Sequence, residues 1–195
     1  MSGTITKLNV LNMALAELQQ EPIADENEDS SNAVTLRTYF DTALDVALKS
    51  HSWDFATKYV ELTLDSDAAN ITPYTYLFQL PTDFLEFQRV YDEDFEPIDY
   101  QNTADGLYTN ESSTYLKYTY RNTDFGTYDS AFSQALAFSL AELCASTIVG
   151  NQGREQYLEG KAGRKEAIAA NKSIGRGKST YKVDSTWANV HIQNS

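Results

Sequence analysis

The chain has 195 residues, 42% hydrophobic side chains and a formal net charge of −13, so it can bury a core of one-domain size without a disulfide or metal staple. The charge is uneven: residues 1–150 hold 7 basic and 24 acidic side chains, net −17, whereas residues 151–195 hold 8 and 4, net +4. An acidic body argues against general nucleic-acid binding, which draws its affinity from cations on phosphates; the single cysteine, Cys144, excludes an intrachain disulfide and a thiolate cluster, and no uninterrupted apolar run reaches the roughly 18 residues of a membrane span.

The first residues, Met-Ser-Gly-Thr-Ile-Thr-Lys, lack the basic-then-apolar layout of a signal peptide. The cysteine usage suits a reducing cytoplasm. Residues 4–19 read as an amphipathic helix, because Ile5, Leu8, Leu11, Leu15 and Leu18 recur at steps of three and four. Thr4 or Thr6 is its expected cap, and Pro22 bounds its end. The acidic stretch from Glu21 to Asp29 reads as a solvated linker. A stronger helix is expected over 30–51, capped by Asp29 or Ser30. Ala33, Leu36, Phe40, Ala43, Leu44, Ala47 and Leu48 fall on its apolar stripe. Arg37, Asp41, Asp45 and Lys49 step by four on the opposite side, a spacing suited to helical ion pairs. His51 suits the helix C-terminus, where its charge would oppose the macrodipole. Trp53 and Phe55 follow as an aromatic plug for the seam between the helices and the next element.

From about residue 57 to 122 the apolar period changes to two. Tyr59–Leu64, Tyr74–Leu80, Phe84–Tyr91 and Thr114–Tyr120 read as strands, with Glu96–Tyr100 as a short fifth. Asn70, Pro73, Pro81, Asn102, Gly106 and Asn110 read as the turns between them. An antiparallel module of four to six strands follows, with aromatics placed for cross-strand pairing. Helix returns over 129–149, capped by Asp129 or Ser130, with Phe132, Leu136, Leu140, Leu143 and Ile148 on its stripe and Gly150 as its stop. A more polar helix is expected over 152–171, forming an antiparallel hairpin with the one before. Residues 172–195 lose periodicity and read as an extended basic arm with aromatic anchors.

The motifs that carry chemistry are weak. Gly175-Arg-Gly-Lys-Ser-Thr180 is similar to the end of a phosphate loop but lacks the earlier glycine and a strand before it. Asp65-Ser-Asp67-Ala-Ala-Asn70 lacks the glycine and glutamate of a calcium loop. Asp92, Glu93, Asp94 and Glu96 form an acidic cluster, expected to be a charged rim rather than a metal site. His51 and His191 are isolated, and Cys144 lies among Ala, Leu and Ser as a buried structural thiol. No catalytic residue, cofactor site or metal site is assigned.

One arrangement is specific. Leu8-Asn-Val-Leu-Asn-Met-Ala-Leu-Ala-Glu-Leu18 precedes Glu21-Pro-Ile23, and the helix from Ser31 leads into His51-Ser-Trp-Asp-Phe-Ala56. Leu80-Pro-Thr-Asp-Phe84 and the alanine-rich stretch from Ala135 to Gln152 follow. Together these resemble the tail tubular protein A family of tailed bacteriophages, the head-to-tail adaptors beneath the portal. The likeness is best over 8–56 and 135–152, and Ser52 stands where the family often has proline. The resemblance implies a structural virion protein of the neck, made in the host bacterial cytoplasm. It implies a homo-oligomeric ring of twelve copies that docks on the portal protein. DNA would pass through without specific binding, and tail nozzle or fibre proteins would meet the β-module. No membrane and no enzymatic turnover are implied.

The expected fold class is therefore α+β: an antiparallel bundle of three to four helices, an inserted antiparallel β-module and an extended C-terminal arm. The expected divisions are 1–56 and 128–171 for the bundle, 57–127 for the β-module and 172–195 for the arm. Lys172, Arg176, Lys178, Tyr181, Lys182 and Trp187 are the candidate portal contacts, with Asp92, Glu93, Asp94 and Glu96 as a tail-facing or lumen rim. Two alternatives come from other classes: a phage-associated glycan or peptidoglycan hydrolase with paired carboxylates in an aromatic cleft, and a tail-end receptor-binding module.

Overall fold

The computed structural model describes residues 5–66 and 72–161. The fold is mixed α+β, with four helical segments and two antiparallel sheets among the described residues. The chain divides into two units, Met1–Arg154 and Glu155–Ser195. Of the second, residues 155–161 are described, and they are helical.

Helix α1 spans Lys7–Glu17. Thr6 starts it with a reciprocal box: its Oγ1 accepts from the Asn9 N–H at 3.3 Å, and the Asn9 Oδ1 accepts from the Thr6 N–H at 3.0 Å. Helix α2 spans Ser31–Lys49, with the Ser30 side chain accepting from the Ala33 N–H. Helix α3 spans Ser130–Ile148, where the Asp129 carboxylate accepts from the Phe132 N–H at 2.7 Å. Gly150, just past its end, takes φ +72°, the left-handed stop that glycine permits. Helical geometry resumes over 150–161.

Both α1 and α2 pack on α3. Val10, Leu11 and Leu15 of α1, Leu36, Leu44 and Leu48 of α2, and Phe132, Leu136 and Leu140 of α3 are fully buried. By length and apolar composition alone α3 would also pass as a membrane-crossing helix. Here eight of its residues, from Phe132 to Ala145, are buried in protein. The loop 21–29 is mostly solvated, as its composition suggests, but it is anchored to α1 and α2. Asn12 bonds both backbone groups of the buried Ile23, at 2.9 and 3.1 Å, and Arg37 donates to the carbonyls of Glu26 and Glu28.

The strands are β1 (Thr57–Glu61), β2 (Thr63–Leu64), β3 (Tyr76–Gln79), β4 (Phe84–Tyr91), β5 (Gln101–Thr103), β6 (Gly106–Thr109) and β7 (Tyr115–Tyr120). One sheet has the order β1-β7-β4 and the other β2-β3-β6-β5. Their inner faces share one core of Leu62, Phe78, Val90, Leu107, Leu116 and Tyr118. Three expectations fail here. Tyr59–Leu64 is not one strand but is divided between β1 and β2, which lie in different sheets. Glu96–Tyr100 is not a strand and contributes one bridge, Tyr91 to Pro97. Asn102 and Gly106, read as turn residues, lie in β5 and β6. Gly106 has φ +142°, and a Cβ there would sit 2.3 Å from the Phe78 carbonyl oxygen, so close strand approach requires glycine.

Candidate functional site

Three places in the described residues combine special geometry with polar chemistry. The first is the junction between helices and sheets. Trp53 and Phe55, the predicted plug, lie half-buried on either side of Asp54 in a 3-10 turn. Both rings meet the fully buried Phe132 edge-on, with centroids at 5.2 and 4.9 Å. Tyr128 adds contacts to Phe132 at 4.6 Å and to Phe55 at 5.5 Å. Ring pairs of this kind add roughly 0.5–1.5 kcal/mol each beyond area burial.

Around the rings runs a polar frame that periodicity does not reveal. Asn122, almost fully buried, donates through Nδ2 to the Phe55 carbonyl at 3.1 Å and to Thr127 Oγ1 at 2.9 Å. Its Oδ1 accepts from the Asp124 N–H at 2.8 Å. The Tyr120 hydroxyl donates to the same Phe55 carbonyl, and the Tyr128 hydroxyl donates to the Asn122 carbonyl at 2.7 Å. Burial pushes the Tyr128 phenol up to about 12.

Arg121 completes the frame. Its Nε donates to Asp45 at 2.7 Å and its NH2 group to Asp41 at 3.0 Å, which ties the end of β7 to α2. Those hydrogen bonds hold the guanidinium above its ordinary value. The expected i, i+4 partners are thus redistributed. Asp41 and Asp45 serve Arg121, while Arg37 turns to the 21–29 loop. His51 does not supply the α2 C-terminus. The last-turn carbonyl of Ala47 is bonded by the Ser50 hydroxyl at 2.7 Å and the Trp53 indole N–H at 3.0 Å, and His51 packs edge-on against Trp53 instead.

The second place is the turn after β4, which holds Asp92, Glu93, Asp94 and Glu96. Asp92 closes it: its Oδ1 accepts from the N–H groups of Asp94 and Glu96, and its own N–H donates to the Glu96 carbonyl. Phe95 is forced to φ +60°, a left-handed conformation that costs a bulky residue ~1–2 kcal/mol. Its ring stays exposed and stacks on Tyr115 at 5.2 Å. Sequence reading missed Phe95, because nothing in the alternation of neighbouring residues marks a positive φ. Among the described residues no group of three His, Cys, Asp or Glu side chains is arranged to hold a metal ion.

The third place is an open groove of about 580 Å³ between α2 and α3. Val46, Leu143 and Glu142 line it with Ser139, Ser146, Asn151 and Arg154. Elsewhere, a cluster joins the partly exposed Lys58 and Asp83 to the buried Tyr118. The Asp83 carboxylate accepts from the Tyr118 hydroxyl at 2.9 Å and from the Lys58 ammonium at 2.6 Å, and that ammonium also lies 3.9 Å over the Tyr120 ring.

Lys172, Arg176, Lys178, Tyr181, Lys182 and Trp187 lie outside the described residues, as do His191, Asp67, Asn70 and the Gly175–Thr180 segment. No protein-family model matches the chain, and none of the curated proteins matches it.

Proposed function

We propose that this chain is a head-to-tail adaptor of a tailed bacteriophage: a structural protein that docks as a ring on the portal, extends the DNA channel and carries tail components. The observation that supports it best is the element order. Two helices and an aromatic junction precede a seven-stranded pair of sheets, and a long alanine-rich helix follows and packs back on the first two. That is the order the sequence resemblance implies. The finer architecture belongs to this reading: an antiparallel bundle as ring body, the strands as a tail-facing module, and residues 172–195 as a portal-binding arm.

The charge division supports the same reading. A body of net −17 repels the phosphate backbone, so DNA can pass without being held. A polar, glycine-containing basic segment with Tyr181 and Trp187 suits an arm that orders on a partner, with the two rings as anchors. The mechanism is oligomeric docking.

The test is to mix the full chain, and a chain lacking residues 172–195, with portal rings. Loss of binding on deletion is expected, and undiminished binding would refute the role of the arm. A second reading, a receptor-binding module, draws on the exposed rings of Tyr59 and Phe95. It predicts instead that the isolated strands 57–127 carry binding and that the arm is dispensable. A glycan-cleavage assay separates both from the hydrolase alternative, since an adaptor gives no turnover.

A further inference from the structure

We propose that the outer face of the β1-β7-β4 sheet, ending at Phe95, is a docking surface for an arginine-bearing segment of a partner protein. The proposal deepens the adaptor reading and rests on it for the presence of a protein partner at the strands. Strand register builds the face. Tyr59 pairs with Lys117, and Lys117 with Arg89. Two residues along, Glu61 pairs with Tyr115, and Tyr115 with Tyr91. Because side chains alternate along a strand, these rows share one side. Leu116, Tyr118 and Val90 occupy the other side, in the shared core.

The outer side therefore gathers aromatics that no core explains. Tyr59 is 61% exposed and Phe95 58%. Phe95 is held upright by stacking on Tyr115 and by the Tyr91 ring at 6.1 Å, rather than by burial. A pre-positioned ring with two torsions loses little freedom on binding, which is what makes aromatics good interface anchors.

Charge selects the occupant. Every ionised side chain of the 92–96 turn is a carboxylate, and Glu61 lies in the same row as Tyr115. The cations of the face sit one row back, where the Lys117 ammonium already lies 5.4 Å over the Tyr59 ring. An anionic partner would meet the carboxylates first, and an apolar partner would cover them unpaired. A guanidinium is planar, stacks on an aromatic face and pairs with a carboxylate in its plane, so one group satisfies both features. An ammonium gains the charge and forgoes the stacking.

The experiment uses the full isotope-labelled chain and a short Gly-Arg-Gly-Arg-Gly peptide, with lysine and glutamate counterparts, followed by amide chemical shifts. The arginine peptide is expected to move residues 92–96, Glu61 and Tyr115 more strongly than the lysine peptide does, and the glutamate peptide is expected to move none of them. Phe95→Ala is expected to weaken binding at least about tenfold, and Phe95→Trp to retain it. Absence of binding, shifts scattered over the acidic surface, or equal affinity in Phe95→Ala would overturn the proposal. If that happens while the chain still docks on portal rings, the adaptor reading stands and only this surface falls.

Discussion

Asn122 joins the turn at Phe55 to the turn at Thr127 within the junction, and its removal has a calculable cost. Its side chain makes three hydrogen bonds, to the Phe55 carbonyl, the Thr127 hydroxyl and the Asp124 N–H. At roughly 0.5–1.5 kcal/mol net each, they total about 1.5–4.5 kcal/mol. The fate of the partners narrows the range. The Phe55 carbonyl keeps the Tyr120 hydroxyl, the Thr127 hydroxyl keeps the Asp124 carbonyl, and Asp124 is exposed enough for water to reach its N–H. Asn122→Ala is therefore expected to cost about 2–3 kcal/mol. Asn122→Asp is expected to cost more at neutral pH, because it keeps the acceptor but turns a carboxylate oxygen on the Phe55 carbonyl. Thr127→Ala removes one of the three partners and is expected to cost least. Urea unfolding measures all three. Trp53 lies in the junction, so a Trp187→Phe background makes the fluorescence report there. A loss below about 0.5 kcal/mol for Asn122→Ala, with the denaturant slope unchanged, would refute the idea that Asn122 fastens the junction.

Other positions give independent expectations. Gly106→Ala would drive a Cβ onto the Phe78 carbonyl at a left-handed φ, so it should destabilise the chain by more than about 1 kcal/mol, read as a fall in Tm. At Asp83, burial alone would raise the carboxyl, but the hydrogen bonds from Lys58 and Tyr118 outweigh it and leave it below its ordinary value. That stabilisation is present above roughly pH 4 and is lost as pH falls through the folded-state value, so Asp83→Asn should flatten the acid limb of a stability profile. Burial pushes the Cys144 thiol up to about 12, so the folded state holds its proton more tightly than the unfolded chain. This contribution is complete below roughly pH 8.5 and is lost as pH rises towards the folded value; Cys144→Ala should reduce alkaline destabilisation, and the native thiol should resist a disulfide reagent until urea opens the chain.

The helices were legible because their ends are local events. Ser30, Asp129 and Thr6 each bond a backbone N–H within three residues, and sequence carries such signals. The long strands were legible through alternation. The short ones were not. All four residues of β6 are buried, so no alternation survives, and Gly106 reads as a turn although close approach to Phe78 is what fixes it. The polar frame of the junction was hidden for a different reason: Arg121 meets Asp41 and Asp45 across about 80 residues, and their helical spacing suggested nearer partners. The Ala47 carbonyl at the end of α2 is bonded by Trp53, whose indole N–H reaches it from six residues away, a contact that helical spacing does not suggest. Of the candidate site, the acidic turn was visible as composition, whereas the ring at its tip depends on a backbone conformation that composition does not encode.

Under the proposed function, copies of this chain close into a ring between portal and tail. Electron cryomicroscopy of the full chain mixed with portal rings tests it most directly. The expected image is a closed ring coaxial with the portal channel, with residues 172–195 laid along portal subunits and the β1-β7-β4 sheet on the far side. Portal rings that remain bare at saturating protein, or a chain found only at a tail tip, would contradict it.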